Sequence, residues 1–86
     1  MISAYLEARY DAHKSFYSKA RIEDDGTAVR LYSYGTFVAL FHKATGTVGL
    51  MRRWDASATT LRHVKEFLAQ MGAETGSKAR LAELYT

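Results

Sequence analysis

The sequence predicts an α+β domain, an antiparallel meander of three or four strands with helices packed on one face. Two patterns indicate this class. Between residues 15 and 53 apolar and polar side chains largely alternate, as in half-buried strands, whereas in residues 56–71 apolar side chains recur every three or four positions, as in an amphipathic helix. The chain contains no proline, and the turns between its strand segments are short. Consecutive strands should therefore be antiparallel neighbours.

Length and composition favour a single domain that spans residues 1–86. With 48% hydrophobic residues the chain is too apolar to be disordered. It has no cysteine, and no apolar run approaches the roughly 18 residues of a membrane span, so we expect a cytoplasmic protein with no membrane partner. The formal net charge of +3 permits a polyanionic partner without requiring one.

The amino-terminal segment, residues 1–12, is predicted to form a short amphipathic helix. Ile2, Tyr5, Leu6 and Tyr10 lie at helical spacing within it. The polar residues that follow would end this helix before the sheet begins.

The sheet is predicted to span residues 15–53. Its strands are bounded by turns that contain glycine, and they cover residues 15–22, 27–34, 37–42 and 47–53. Gly35 interrupts the run between the second and third strands. It forms either a tight hairpin turn or a bulge in one long bent strand, and we favour the turn.

Two helices should follow the sheet. The main helix covers residues 56–71, with Asp55 or Ser57 as a cap that accepts hydrogen bonds from free backbone N–H groups. Gly72 suits its end, because glycine adopts a left-handed conformation at little cost. A shorter terminal helix is predicted over residues 77–85.

Three short blocks of the chain also carry a resemblance. They are residues 15–20 (SFYSKA), 33–39 (SYGTFVA) and 59–72 (TTLRHVKEFLAQMG). In this order and spacing they resemble a family of small uncharacterised proteins of phages and mobile elements in Gram-positive bacteria. The resemblance implies a phage or mobile-element setting. It implies no catalytic residues, because that family has no established activity.

One face of the predicted sheet carries tyrosines and cations. Side chains that alternate with the apolar positions should point away from the helices, and two arginines of the last strand could join them: Tyr17, Lys19, Arg21, Arg30, Tyr32, Tyr34, Arg52 and Arg53. Aromatic rings stack on bases and arginines hold phosphates, so this is a candidate surface for single-stranded DNA or RNA. The same residues would also suit a protein interface, or a solvated face in which tyrosine and arginine pair across strands.

A second candidate site lies at the start of the main helix. Thr59, Arg62 and His63 could bind an anion there, because hydroxyls, free backbone N–H groups and the positive end of the helix dipole come together. Ordinary capping also explains the hydroxyls, and we favour it. His13, His42 and His63 lack the spacing of metal ligands, so no metal site and no cofactor are predicted.

No catalytic residue is predicted. The carboxylates are few, and Glu66, Glu74 and Glu83 are interpreted as exposed helix residues. The sequence contains no phosphate-binding glycine loop and no nucleophile elbow. We therefore expect a binding protein without enzymatic activity, with single-stranded nucleic acid as its partner. The alternative is a module that binds and modulates a host, phage or defence protein, through the same face or through the terminal helices.

Overall fold

The computed structural model describes residues 2–11, 16 and 18–86. Within them an antiparallel sheet of five strands has the order β1-β2-β3-β4-β5, and two helices follow it. The elements are β1 (Ile2–Tyr5), β2 (Ala20–Asp24), β3 (Ala28–Ser33), β4 (Thr36–His42), β5 (Val48–Leu50), α1 (Ala58–Met71) and α2 (Lys78–Tyr85). The predicted α+β meander is confirmed, with one strand more than the upper expectation of four.

The additional strand is β1, and it replaces the predicted amino-terminal helix. Ile2 pairs with Asp24 and Tyr5 pairs with Arg21, so β1 forms the antiparallel edge of the sheet beside β2. The helical spacing was misleading because all four β1 residues are exposed, and they bury no helical stripe. Leu6, directly after β1, is the residue that enters the core. Backbone pairing with β2 therefore decides the conformation of this segment, and the weak helical spacing of its apolar residues does not.

The strand predicted over residues 15–22 begins only at Ala20. Before it the backbone turns: the N–H of Lys19 donates to the carbonyl of Phe16 at 2.9 Å, and Ser18 has a φ of 63°. A residue with positive φ cannot continue a strand, so alternation in the sequence extended the predicted strand too far. Phe16 itself is buried, as predicted.

The β3–β4 connection is a two-residue hairpin turn. Ser33 pairs with Thr36, and the two residues between them have φ values of 52° for Tyr34 and 82° for Gly35. Two positive φ angles in succession are typical of a type I′ turn, in which glycine is favoured. The turn at Gly35 is therefore confirmed.

A bulge lies within β4, two residues after that turn. Leu31 pairs with Ala39 but Tyr32 pairs with Phe37, so the register passes over Val38. Val38 and Ala39 are both buried as a result. The extra residue accentuates the local twist of the hairpin.

Both helices begin and end close to the predicted positions. The Ser57 hydroxyl accepts the N–H of Thr60 at 3.0 Å, which caps α1. At the other end Gly72 is left-handed, and the N–H of Ala73 donates to the carbonyl of Leu68 at 2.9 Å, as in a Schellman motif. Ser77 caps α2 in the same manner as Ser57.

The core lies between the two helices and one face of the sheet. A row of core-facing residues crosses the sheet through Ile22, Leu31, Ala39 and Leu50. Leu31 and Ala39 belong to the buried apolar cluster, against which Ile22 and Leu50 pack, and the helical members of that cluster include Val64, Phe67, Leu68 and Leu81. No helix in the described residues is both long and apolar enough to span a membrane. Because both described helices use the same side of the sheet, the opposite side is left open.

Candidate nucleic-acid interface

Two rows of side chains define the sheet surface opposite the helices, which we call the open face. Strand registers place Tyr5, Arg21, Tyr32 and Phe37 in the first row. The second row consists of Ser3, Glu23, Arg30, Leu40 and Gly49. None of these nine residues belongs to the core cluster. The antiparallel registers thus bring together side chains from β1, β2, β3 and β4, and Gly49 of β5 ends the second row.

In the first row an arginine stacks on an aromatic ring. The guanidinium carbon of Arg21 lies 4.4 Å from the centroid of the Tyr32 ring, which is cation–π distance. On the other side of Tyr32, the Phe37 ring centroid is 5.6 Å away. Tyr5, paired with Arg21, is 58% exposed. Flat, partly exposed rings next to a guanidinium are the groups that stack on nucleic-acid bases.

A shallow concavity of about 420 Å³ lies at the end of this row. Its lining residues come from β1, β2, β3, the β3–β4 turn and the chain that enters β2: Tyr5, Ser18, Lys19, Arg21, Tyr32, Tyr34 and Gly35. Lys19 contributes a cation that has no ion-pair partner among the described residues. The concavity therefore combines three tyrosines with two cations.

The two arginines of the open face are paired with carboxylates. Arg21 donates to Glu23, and this hydrogen bond is the main reason that the pKa of Glu23 lies below its ordinary value. Arg30 donates to Asp25 at 2.9 Å and lowers the pKa of that carboxyl, together with the backbone N–H groups of Ala28 and Thr27. In return, Asp25 raises the pKa of Arg30. Both carboxylates are ionised at neutral pH, so they offset much of the positive charge of the face.

The structure brings together most, but not all, of the residues predicted for this surface. Lys19, Arg21, Tyr32 and Tyr34 line the concavity, and Arg30 lies in the adjacent row. Tyr17 lies outside the described residues. Two residues that the sequence analysis did not assign, Tyr5 and Phe37, complete the aromatic row. Tyr5 was missed because its segment was predicted to be a helix.

Tyr34 departs from its predicted place on the strand. It occupies the turn, and its ring centroid lies 5.8 Å from that of His63 on α1. The side chain therefore sits at the end of the sheet, bordering the concavity rather than continuing the row of Tyr32.

Arg52 and Arg53 were predicted to join the open face, but the structure places them elsewhere. The last strand ends at Leu50, and both arginines lie in the turns that lead to α1. Arg53 lines a separate recess of about 210 Å³ with Thr36 and Thr60, near the start of that helix. The predicted strand was too long because the chain turns at Met51, where the N–H of Trp54 donates to the Met51 carbonyl.

The three residues of the predicted anion site are not brought together. His63 is 0% exposed, Arg62 is exposed, and Thr59 is half-buried. Burial lowers the pKa of His63, with an opposing effect from the charge of Asp11, so the imidazole is neutral at pH 7 and supplies no positive charge. The capping interpretation of Ser57 is confirmed.

His63 instead belongs to a buried polar network that joins α1 to β3. The Nδ1 atom of His63 lies 2.8 Å from the Oγ atom of Ser33, and the Ser33 hydroxyl donates to the Oγ1 atom of Thr60 at 3.1 Å. The Phe16 ring packs edge-on against the imidazole at 4.6 Å. Ser33 is only 2% exposed. We interpret the serine–histidine pair as part of the helix–sheet packing, in which the bond fixes the position of α1.

Glu66 is a second buried polar group that the sequence analysis placed wrongly on the surface. It is 2% exposed, and its Oε1 atom accepts the N–H groups of Tyr10 and Asp11 at 2.8 and 2.9 Å. Gln70 donates to the Oε2 atom of Glu66 and to the carbonyl of Glu7, at 2.6 Å in each case. These bonds hold the segment after β1 against α1, a long-range role that local helix periodicity does not reveal.

In the described part of the chain, no three His, Cys, Asp or Glu side chains are grouped so that they could hold a metal ion. The structure thus defines a small α+β domain whose antiparallel sheet is covered by helices on one face and presents aromatic and charged side chains on the other. The chain belongs to a family of unknown function (DUF8033), whose match covers residues 4–83. No curated protein and no solved structure matched the chain in the same comparisons.

Proposed function

We propose that this protein binds single-stranded nucleic acid on the open face and catalyses no reaction. The observation that supports this most is the Arg21–Tyr32 stack at 4.4 Å, flanked by Tyr5 and Lys19 around one concavity. A phage or mobile-element setting, based on the sequence resemblance, is part of the same proposal, as is a cytoplasmic location, based on the cysteine-free composition.

In this proposal the bases supply most of the contact area. A base can stack on Tyr5, which is largely exposed, while a neighbouring base lies over the Arg21–Tyr32 pair. Lys19 at the edge of the concavity is placed to hold the phosphate between them. Stacking on tyrosine works for every base, so we expect little sequence preference. A rigid duplex hides its base faces and should bind poorly.

The test is a fluorescence anisotropy titration with labelled single-stranded DNA, single-stranded RNA and a duplex. The protein should bind the single strands in preference to the duplex. Tyr32→Ala should weaken binding by about 1–3 kcal/mol, which is at least about fivefold in Kd, because one stacking platform is lost.

Tyr10→Ala is the matched control for that substitution. Tyr10 is 69% exposed but lies on the segment held against α1, away from the open face. It should bind like the parent protein, and both variants should retain the parent circular dichroism spectrum. Equal binding by the parent and Tyr32→Ala would contradict the proposed site.

A protein partner is the second candidate, and the ion pairs of the open face favour it. Arg21 and Arg30 are already neutralised, while Phe37 and Leu40 present half-buried apolar surface beside them. Aromatic residues and arginine are enriched at protein interfaces. Flat titration curves for all three nucleic acids, with the protein folded, would favour this alternative.

A further inference from the structure

The carboxylates of the open face stand between its arginines and a bound phosphate. The Glu23 side chain is bonded to Arg21 and faces Arg30 across the β2–β3 pair. Asp25 is bonded to Arg30 and is itself held by the N–H groups of Thr27 and Ala28 at 2.9 and 2.8 Å. Asp25 is thus held by the backbone as well as by Arg30, and Glu23 is held by the Arg21 side chain.

A phosphate that approaches either arginine on its Nη1 side must compete with the carboxylate that already accepts a hydrogen bond from that group. Arginine binds carboxylate and phosphate with similar planar geometry, so the two ligands exclude each other at one guanidinium edge. Lys19 faces no such competitor among the described residues. It is therefore the cation of the concavity that is available to a phosphate from the outset.

We propose that Glu23 and Asp25 compete with phosphate for Arg21 and Arg30, so that the open face binds single strands mainly by base stacking and engages about one phosphate. This inference rests on the proposed function, and it identifies the two acidic residues that limit its affinity. The preferred ligand is then a short, unstructured strand whose bases are accessible, and long-range attraction to the backbone contributes little.

The number of engaged phosphates can be measured from the salt dependence of binding. For single strands, log K falls with log salt concentration with a slope of about −0.7 for each neutralised phosphate. We expect a slope of about −0.7 for the parent protein, about −1.4 for Glu23→Gln and about −2 for Glu23→Gln combined with Asp25→Asn.

These substitutions remove charge and preserve shape. Glutamine and asparagine keep an oxygen that accepts hydrogen bonds, so the Asp25 turn and the contact to Arg21 can persist in weaker form. The Kd advantage of Glu23→Gln over the parent should grow about 2.6-fold when salt is lowered from about 200 mM to about 50 mM, because the two slopes differ by one phosphate.

Glu83→Gln is the matched control. It raises the net charge by the same amount, but Glu83 is exposed on α2, where it pairs with Arg80 at 3.0 Å. Its slope and Kd should match those of the parent. Melting curves recorded for every variant establish that each one is folded under the titration conditions.

Three results separate the inference from the function on which it rests. Tighter and more salt-dependent binding by Glu23→Gln, with Glu83→Gln unchanged, would support the competition. A parent slope near −2 that Glu23→Gln leaves unaltered, or weaker binding by that variant, would overturn it while retaining the nucleic-acid function. Absence of single-strand binding in the parent and in all variants would overturn the proposed function itself.

Discussion

The buried carboxylate of Glu66 provides a stringent test of how the amino-terminal segment is held. Glu66→Ala would remove the acceptor of the Tyr10 and Asp11 N–H groups, along with a partner of Gln70. Hydrogen bonds to charged groups contribute about 1.5–3 kcal/mol each. Taking the lower value for the two backbone bonds, because they are only partly buried, we expect a loss of about 3 kcal/mol.

Such a loss is large for a chain of 86 residues. It corresponds to a decrease in Tm of about 12–24 °C for a domain of this size. Urea denaturation followed by tryptophan fluorescence measures the free energy directly, since Trp54 is buried in the core. Amide hydrogen exchange should show in addition that Tyr10 and Asp11 lose protection in the variant, because their N–H groups no longer have an acceptor.

Glu83→Ala serves as the control for this experiment. Glu83 forms an exposed ion pair with Arg80 on α2, and an exposed pair of this type contributes less than about 1 kcal/mol. If Glu66→Ala unfolds within about 0.5 kcal/mol of the parent and the two amides remain protected, Glu66 does not anchor the segment.

Two further predictions concern the turn and the buried histidine. Gly35→Val should destabilise the fold by about 1–2 kcal/mol through backbone strain, because Gly35 has a φ of 82° and an added Cβ would meet no atom within 4 Å. An unchanged urea midpoint would contradict this. Gly49→Ala is the comparison at a glycine without positive φ, where the added Cβ would lie 3.3 Å from the end of the flexible Met51 side chain, which can shift to make room. Burial lowers the pKa of His63 below 6.5 in the folded state, so that the unfolded chain binds the proton more readily than the folded chain does. The free energy of unfolding should therefore fall by up to about 1.4 kcal/mol per pH unit as the pH drops below 6.5. This pH range lies above the one in which ordinary carboxylates titrate. His63→Gln should remove the dependence of unfolding free energy on pH in this range. An unfolding free energy of the parent protein that stays constant between about pH 7 and 5 would refute the reasoning.

Local patterns in the sequence were sufficient to predict the two helices and most of the sheet. Ser57, Gly72 and Ser77 have the chemistry that caps require, and they mark the ends of α1 and the start of α2. The alternation in residues 27–34 placed Arg30 and Tyr32 on one side of β3 and Leu31 on the other, as the structure has them. These features depend on interactions within a few residues, so the sequence reveals them.

The candidate site was predictable only in part, because some of its contacts do not follow from the alternation of side chains along a strand. Alternation assigned Arg21, Arg30 and Tyr32 to a shared face, but it did not reveal that Glu23 and Asp25 neutralise the two arginines. Arg21 and Glu23 are only two residues apart on β2, but alternation alone does not show that their side chains bond, and the Asp25–Arg30 bond depends on the turn between the strands. Tyr5 was assigned to the wrong element, so its place beside Arg21 could not be foreseen.

The sequence by itself determined the α+β class, the main helix and the tight turn at Gly35, because periodicity, capping and backbone conformation are local properties of the chain. Only the tertiary structure decided that residues 2–5 form an edge strand and that Glu66 and His63 are buried. Those outcomes depend on contacts between residues up to 56 positions apart. Their energies arise from burial and register, which no short stretch of sequence contains.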